Sequence, residues 1–115
     1  LKNGKNITLF DDIVFNPLHV NDICKALKTV ILNPFYGTFN LGSRDYMSKA
    51  DFGIMFAKEL GLSTRSVKLG SYSNNKVLTK RPRDMSMDVR LFEKTFKQNL
   101  PYLIDAIKKI SKDYL

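Results

Sequence analysis

The sequence predicts one mixed α/β domain built from short strands and about four helices. Short β-prone runs alternate along the chain with stretches whose apolar residues recur at helical spacing. The 115 residues, 43% hydrophobic and 26% charged, are enough for a single domain with its own core. No apolar run approaches ~18 residues, so we expect no membrane span.

Two strands and a helix are predicted in the first part of the chain. Ile7–Phe10 and Ile13–Phe15 are rich in β-prone residues. Apolar residues within Val20–Ile31 then recur at helical spacing, which predicts a helix that turns its apolar stripe, with Cys24 on it, towards the core. Asn21 is the expected N-cap of this helix, and the Asn-Pro pair beyond it ends the helix.

The middle of the chain predicts a third strand and a second helix. Tyr36–Leu41 has the composition of a strand. Ser48-Lys49-Ala50-Asp51 is close to a capping box and predicts the start of a helix, which Gly61 ends as the C′ residue. The expected inner face of this helix consists of Phe52, Met55, Phe56 and Leu60.

The last part of the chain predicts one more strand and two helices. Ser66–Leu69 is a short β-prone run, and the polar segment Gly70–Thr79 predicts a loop. Asp88 is the expected N-cap of a third helix, and Pro101 suits the first turn of a fourth. The apolar faces of these two helices are predicted to contain Leu91, Phe92 and Phe96, and then Leu103, Ile104, Ile107, Ile110 and Tyr114.

Positive charge is concentrated in the second half of the chain. Residues 1–57 contain six Lys and Arg against five Asp and Glu, a net charge of +1. Residues 58–115 contain thirteen against six, a net charge of +7. Such asymmetry favours an anionic partner, which leaves a nucleic acid, a phosphorylated small molecule and an acidic surface open.

The best candidate site lies in this basic half, at Arg81-Pro82-Arg83-Asp84. Guanidinium groups suit bidentate contacts to phosphate, and a carboxylate accepts hydrogen bonds from sugar hydroxyls. Pro82 favours an extended conformation at Arg81, so we expect the cluster on a loop, with Arg83 towards solvent. An ion pair within an exposed loop is the alternative interpretation.

Catalytic and metal-binding centres are not predicted. His19 and Cys24 lack the further His or Cys residues of a zinc site, and a Cys on a buried stripe is inert. Asp11 and Asp12 are adjacent, which favours a turn over a pair of cooperating carboxylates. Phosphate-binding loops of the GxGxxG and GxxxxGK[ST] types do not occur in the sequence.

Three stretches, taken together and in this order, resemble the C-terminal part of the extended short-chain dehydrogenase/reductase family. Asn16–Ile23 is similar to its P-T-H-V-x-D entry into a helix. Gly37–Phe52 is similar to its G-x-(Y/F)-N-(L/I)-G … (S/T)-x-x-(D/E)-F segment, and Lys80–Asp88 to its R-P-x-D/N-x-x-L-D motif. The resemblance covers nearly the whole chain and points to the dTDP-4-dehydrorhamnose reductases and their sugar-nucleotide epimerase and dehydratase relatives.

This resemblance implies that residues 1–115 are the C-terminal substrate-binding portion of an NAD(P)-dependent enzyme acting on a nucleotide-sugar. It places the Rossmann domain, with the Gly-rich NAD(P) loop and the catalytic Tyr-x-x-x-Lys pair, N-terminal to the matching region. This chain alone is therefore expected to bind no cofactor and to catalyse nothing. Arg81 and Asp84 match positions that contact the phosphate and the ribose. Phe15 stands where many epimerases have an arginine, which favours a reductase.

The implied partners are the nucleotide-sugar and the chain's own N-terminal Rossmann domain, in a cytoplasmic enzyme of polysaccharide biosynthesis. A single cysteine excludes an internal disulfide and agrees with a reducing compartment. An unpaired sheet edge would favour self-association, so a homo-oligomer stays open. Two other functions stay open: a non-catalytic regulatory or interaction module of the same fold, and a small basic nucleic-acid-binding domain, although we do not expect a nucleic acid as the partner.

Overall fold

The computed structural model describes residue 1, residues 3–74, residue 79 and residues 81–114, and these contain five short strands and four α-helices. The strands are β1 (Ile7–Phe10), β2 (Val14–Phe15), β3 (Met47–Ser48), β4 (Val67–Gly70) and β5 (Asp84–Met85). The helices are α1 (Val20–Leu32), α2 (Lys49–Glu59), α3 (Arg90–Phe96) and α4 (Leu103–Lys112), and a 3-10 helix spans Tyr72–Asn74. The predicted α/β class, with short strands and four helices, is confirmed. None of the described helices combines the length and the apolar character that crossing a bilayer requires.

The strands form two small sheets. β1 and β4 pair in parallel, with Ile7 opposite Val67. β2 is the middle strand of the other sheet, antiparallel to β3 and parallel to β5, with Val14 opposite Asp84. The second sheet therefore brings the predicted Arg-Pro-Arg-Asp cluster alongside the residues that precede α1.

One cluster of buried residues lies between α1 and α3. Its buried apolar residues are Ala26, Val89, Phe92, Phe96 and Leu100, with Leu18, Val30, Phe39 and Leu41 packed against them. The ring centroids of Phe92 and Phe96 are 4.8 Å apart, and those of Phe39 and Phe96 are 5.0 Å apart. The helix α1 packs on this cluster through the small residue Ala26, which is fully buried.

The predicted boundaries of the second helix are confirmed by its caps. The Ser48 side chain accepts a hydrogen bond from the Asp51 N–H at 3.0 Å and donates one to the Asp51 carboxylate at 2.7 Å. At the other end Gly61 has φ +66°, and Leu62 N–H donates to the carbonyl oxygen of Ala57 at 2.8 Å. This is a Schellman ending, which needs the left-handed conformation that glycine adopts without strain.

The prediction of a strand at Tyr36–Leu41 is wrong. This segment has no regular secondary structure, because no strand within the described residues pairs with its backbone. It is held by side chains instead, since Phe39 packs on Phe96. The two-residue strands β3 and β5 were not predicted, because a two-residue run is too short to show a period-2 pattern.

The predicted cap and orientation of the first helix are also wrong. The N-cap is His19, whose Nδ1 accepts a hydrogen bond from the Asn21 N–H at 3.2 Å. The buried residues of α1 are Asp22 and Ala26, whereas Cys24 is exposed. An ion pair between Asp22 and Lys109 of α4 accounts for this orientation, since Lys109 Nζ lies 2.6 and 2.7 Å from the two carboxylate oxygens.

The last two helices begin later than predicted. Val89 is the N-cap position of α3, although the Asp88 carboxylate still accepts the Arg90 N–H at 3.0 Å. Leu91 is exposed and not on the inner face, while Phe92 and Phe96 are buried as predicted. In α4, Leu103 and Ile107 are buried, Ile104 and Ile110 are half-buried, and Tyr114 is exposed beyond the end of the helix.

Candidate functional site

A cleft of about 220 Å³ contains the arginine that the sequence singles out. We call it the Arg81 cleft; it is lined by Phe10, Ile13, Lys49, Tyr72, Thr79 and Arg81. These residues come from the end of β1, the residue before β2, the start of α2, the 3-10 helix and the segment that leads into β5. Their described side chains include two cations and no carboxylate, so the cleft favours an anion.

Backbone hydrogen bonds at the start of β2 position the two cations. The Lys49 N–H donates to the carbonyl oxygen of Ile13 at 2.9 Å, which fixes the first residue of α2. The Val14 N–H donates to the carbonyl oxygen of Arg83 at 2.8 Å, which fixes the chain two residues beyond Arg81. Arg81 itself is exposed and Lys49 is half-buried. Both charges are thereby carried on backbone that the second sheet holds in place.

An aromatic pair forms another wall of the cleft. The rings of Phe10 and Tyr72 meet edge to face, with centroids 5.8 Å apart and an interplanar angle of 84°. The Tyr72 hydroxyl donates to the carbonyl oxygen of Thr79. Aromatic walls beside cations suit a ligand with both a flat ring and negative charge.

The Asp12 carboxylate holds the turn that carries Tyr72. It accepts hydrogen bonds from the Tyr72 N–H at 2.8 Å and the Ser71 hydroxyl at 2.7 Å, and from the N–H and hydroxyl of Ser73 at 3.1 and 2.8 Å. These donors, the Tyr72 N–H above all, hold the pKa of Asp12 well below its usual range. Asp12 is thus a positioning carboxylate, and its predicted role in a turn agrees with these contacts.

Asp84 lies at the start of β5 and does not line the cleft. Its Oδ1 atom accepts the Ser86 hydroxyl at 2.6 Å and the Ser86 N–H at 2.9 Å. These bonds lower the pKa of Asp84, so the exposed group is a carboxylate at neutral pH. Arg83 is exposed, as expected, and donates to the Ser73 hydroxyl at 3.3 Å. Of the predicted cluster and loop, Lys80 and residues 75–78 lie outside the described residues.

A buried asparagine joins the three stretches that carry the family resemblance. Asn16 Nδ2 donates to the carbonyl oxygens of Ser43 and Met87, each at 2.9 Å, and Asn16 Oδ1 accepts the Met87 N–H at 2.9 Å. Gly42 must pass close to it, since a Cβ there would lie 2.6 Å from Asn16 Nδ2. We call Asn16, Gly42, Ser43 and Met87 the Asn16 junction; it is structural, because every bond stays within the protein.

The other polar candidates from the sequence have structural contacts. His19 is buried at the start of α1, with its Nε2 3.2 Å from a carboxylate oxygen of Asp113. Cys24 is exposed, which corrects the expectation that it is buried. Among the described residues no three His, Cys, Asp or Glu side chains come together as a metal site would require.

Other cavities, larger than the Arg81 cleft, suit an anion less well. One of about 570 Å³ between β1 and α2 is lined by apolar side chains. Another of about 450 Å³ contains two arginines and two acidic residues that pair with each other, Arg44 with Glu93 and Arg90 with Asp88. A third, of about 270 Å³, contains Lys25 and Lys109, and both of these lysines lie against the carboxylate of Asp22. The Arg81 cleft is the candidate site because its two cations face no carboxylate in the described lining.

Sequence analysis singled out Arg81 but none of the other five lining residues, and it therefore missed the charged and aromatic side chains of Phe10, Lys49 and Tyr72. Phe10 and Tyr72 are 62 positions apart and meet only because β1 pairs with β4. Tyr72 also stands four residues before Lys76, the spacing of the family's catalytic Tyr-x-x-x-Lys pair. Its hydroxyl is bonded to the backbone at Thr79, and Lys76 lies outside the described residues.

The sequence profile of one protein family, described as "RmlD substrate binding domain", matches residues 1–115. A sequence search of curated proteins finds no match. Solved structures with the same fold include the dTDP-4-dehydrorhamnose reductase of Bacillus anthracis str. Ames in complex with NADP, with a TM-score of 0.85 at 15% identity. They also include a dTDP-4-dehydrorhamnose reductase ortholog of Clostridium acetobutylicum, with a TM-score of 0.82 at 18% identity.

A third solved structure with this fold is the dTDP-glucose 4,6-dehydratase of Bacillus anthracis str. Ames in complex with NAD, with a TM-score of 0.77 at 16% identity. The alignments with the two reductases each cover 99% of this chain, but only 40% of the Bacillus protein and 41% of the Clostridium protein. The alignment with the dehydratase covers 98% of this chain and 35% of that protein. The chain therefore spans about two fifths of the length of these relatives.

Proposed function

The chain belongs to the RmlD substrate binding domain family, and from this premise we propose that the Arg81 cleft binds the nucleotide part of a nucleotide-sugar. The chain would serve as the substrate-binding portion of an NAD(P)-dependent sugar-nucleotide reductase or epimerase. The observation that carries the proposal is the meeting of Arg81 and Lys49 with the Phe10–Tyr72 pair in one cleft.

Each wall of the cleft matches one part of such a ligand. Arg81 and Lys49 would hold the diphosphate, where a guanidinium gives bidentate bonds and an ammonium a compact charge. The Phe10–Tyr72 pair offers apolar surface to the nucleobase. Asp84 lies outside the lining of the cleft, three residues after Arg81, and is kept ionised by its bonds to Ser86; it would accept hydrogen bonds from the ribose hydroxyls.

We assign the parent reaction to hydride transfer at a keto-sugar, with a reductase as the favoured class. Phe15, at the position of the epimerase arginine, packs edge to face on Phe52 with ring centroids 5.4 Å apart. It thus adds no further cation to the site. Residues 1–115 contain no Gly-rich phosphate loop, so NAD(P) would bind to another portion of the parent enzyme. The free, exposed Cys24 fits the reducing cytoplasm that we propose as its location.

Calorimetric titration with dTDP-, UDP- and GDP-sugars tests the proposal. Arg81→Ala removes a charge-assisted contact to phosphate, and we expect the Kd to rise about 10- to 100-fold. Arg65→Ala removes an exposed arginine outside the cleft lining and is the matched control, with an unchanged Kd expected. Equal affinity of the wild-type protein and Arg81→Ala for all three ligands would remove the assignment.

A further inference from the structure

The cavity of about 450 Å³ lies at the other end of β5 from the Arg81 cleft, because Arg81 precedes this strand and the cavity is lined by residues that follow it. We call it the tyrosine pocket; its polar and aromatic lining includes Arg44, Tyr46, Asp88, Arg90, Glu93 and Tyr102. Its volume is typical of a small-molecule site. The tyrosine pocket shares no lining residue with the Arg81 cleft, so it would hold a separate ligand.

Each arginine of the tyrosine pocket is paired with a carboxylate. Arg44 Nε lies 3.0 Å from Glu93 Oε1, and Arg90 Nε donates to the two carboxylate oxygens of Asp88 at 2.9 and 3.0 Å. The bonds from Arg90 lower the pKa of Asp88 to about 2, so this pair is ionised at neutral pH. A free anion or cation would have to compete with a partner that is already in place. The pocket therefore favours a ligand without net charge.

The pair between Arg44 and Glu93 keeps hydrogen-bonding capacity on both partners. Glu93 Oε1 also accepts the Leu100 N–H at 2.8 Å, whereas Glu93 Oε2 and the two terminal nitrogens of Arg44 have no hydrogen-bond partner among the described residues. A hydroxyl group both donates and accepts a hydrogen bond, so it can bridge a carboxylate and a guanidinium group. A ligand with hydroxyls on adjacent carbons would satisfy both groups at once.

Two tyrosines give the same pocket flat apolar surface. Tyr46 is 64% exposed and Tyr102 is 50% exposed. The Arg44 guanidinium group stacks on the Tyr102 ring, with its Cζ atom 5.3 Å from the ring centroid, which leaves the other face of this ring for a ligand. A sugar ring presents C–H groups on its face and hydroxyls around its edge. Such a ring matches aromatic faces that are bordered by hydrogen-bonding groups.

Hydrogen bonds to the backbone hold the walls of the tyrosine pocket in place. The Asp45 carboxylate accepts the Leu103 N–H at 2.7 Å, which ties the residue before Tyr46 to the residue after Tyr102. The opposite wall is fixed by the Asn16 junction, since Asn16 itself lines the pocket. Because these walls are already ordered, little conformational entropy is lost when a ligand binds.

From the paired charges, the available hydrogen-bonding groups and the exposed rings, we propose that the tyrosine pocket binds a neutral saccharide that carries no nucleotide. This second site goes beyond the proposed function, which concerns the Arg81 cleft alone. The two sites differ in charge, because the cations of the Arg81 cleft face no carboxylate in its described lining, whereas Arg44 and Arg90 are both paired. A diphosphate is therefore suited to the first site and an uncharged sugar to the second.

NMR titration of the isotope-labelled protein tests this proposal. The probes are the methyl glycosides of glucose, galactose, mannose and N-acetylglucosamine. At least one of them should shift the backbone amides of Arg44, Tyr46 and Asp88, with a Kd of about 1–10 mM. Tyr46→Ala removes an exposed ring of the pocket and should raise this Kd at least about tenfold. Tyr36→Ala removes a fully exposed tyrosine outside the pocket and is the matched control, with an unchanged Kd expected.

Four results would overturn the proposal. The first is the absence of these shifts with every glycoside up to about 100 mM, and the second is a Kd that Tyr46→Ala leaves unchanged. The third is a shift of the same amides by inorganic phosphate and not by a glycoside, which would make the pocket an anion site. The fourth is a shift that depends on protein concentration alone, with a dimer in sedimentation, which would make it a contact between two copies. Arg81→Ala should leave the glycoside titration unchanged, so the two sites can fail independently.

Discussion

The Asn16 junction and the Arg81 cleft lie at opposite ends of the parallel β2–β5 pair and use their polar groups in opposite ways. In the junction, Asn16 is buried and bonded through both side-chain atoms to backbone groups of the protein. In the cleft, Arg81 is exposed and the described lining offers it no carboxylate. A family motif therefore contains both structural residues and exposed residues that are available to a ligand. Only burial and hydrogen-bond partners distinguish the two kinds.

The largest effect on stability is expected when the Asn16 junction is lost. Asn16→Ala removes the three side-chain hydrogen bonds of a buried residue and leaves backbone groups of Ser43 and Met87 without these partners. We expect the free energy of unfolding in urea to fall by about 3 kcal/mol. Asn21→Ala, at an exposed position, should change it by less than about 0.5 kcal/mol. A loss below about 1 kcal/mol for Asn16→Ala would mean that the junction does not hold the motifs together.

A smaller effect on stability is expected when acid protonates Asp12, the carboxylate that positions the aromatic wall. Its native pKa lies below the ordinary value, so its contribution to stability is complete above that ordinary value and is lost as pH falls through the native pKa. NMR titration of the Asp12 carboxyl carbon should show the pKa rising in a Ser71→Ala, Ser73→Ala variant. It should not return fully to normal, because the Tyr72 N–H remains as the strongest donor.

Ser86→Ala is the control for this titration. It removes the hydroxyl that lowers the pKa of Asp84, so the Asp84 pKa should rise while that of Asp12 stays in place. An Asp12 pKa that is insensitive to Ser71 and Ser73 would show that the turn carrying Tyr72 is not held by this carboxylate.

The smallest effect on stability is expected for Arg81, the residue whose substitution should affect binding most. Arg81→Ala should change the free energy of unfolding by less than about 0.5 kcal/mol, because an exposed side chain away from buried contacts contributes little. Together with the weakened nucleotide-sugar binding proposed above, this result would set the cleft apart from the junction. A loss of about 2 kcal/mol or more would instead make Arg81 a structural residue.

The sequence predicted the second helix from local chemistry, although the same reasoning misplaced the N-caps of α1 and α3. Ser48 and Gly61 bound the second helix as expected, since a cap depends on residues within one turn of each other. Arg81 was found as a candidate because its motif is contiguous. The predictions failed for Tyr36–Leu41, whose composition favours a strand, because a strand exists only when another backbone pairs with it.

By itself, the sequence determined the α/β class, the α2 caps, the positive charge and the family. The tertiary structure decided which face of α1 is buried, since the pair between Asp22 and Lys109 joins residues 87 positions apart. It also decided that Lys49 and the Phe10–Tyr72 pair share a cleft with Arg81. The physical reason is the same in both cases: periodicity and capping act over a few residues, whereas ion pairs and clefts depend on distances that only the folded chain creates.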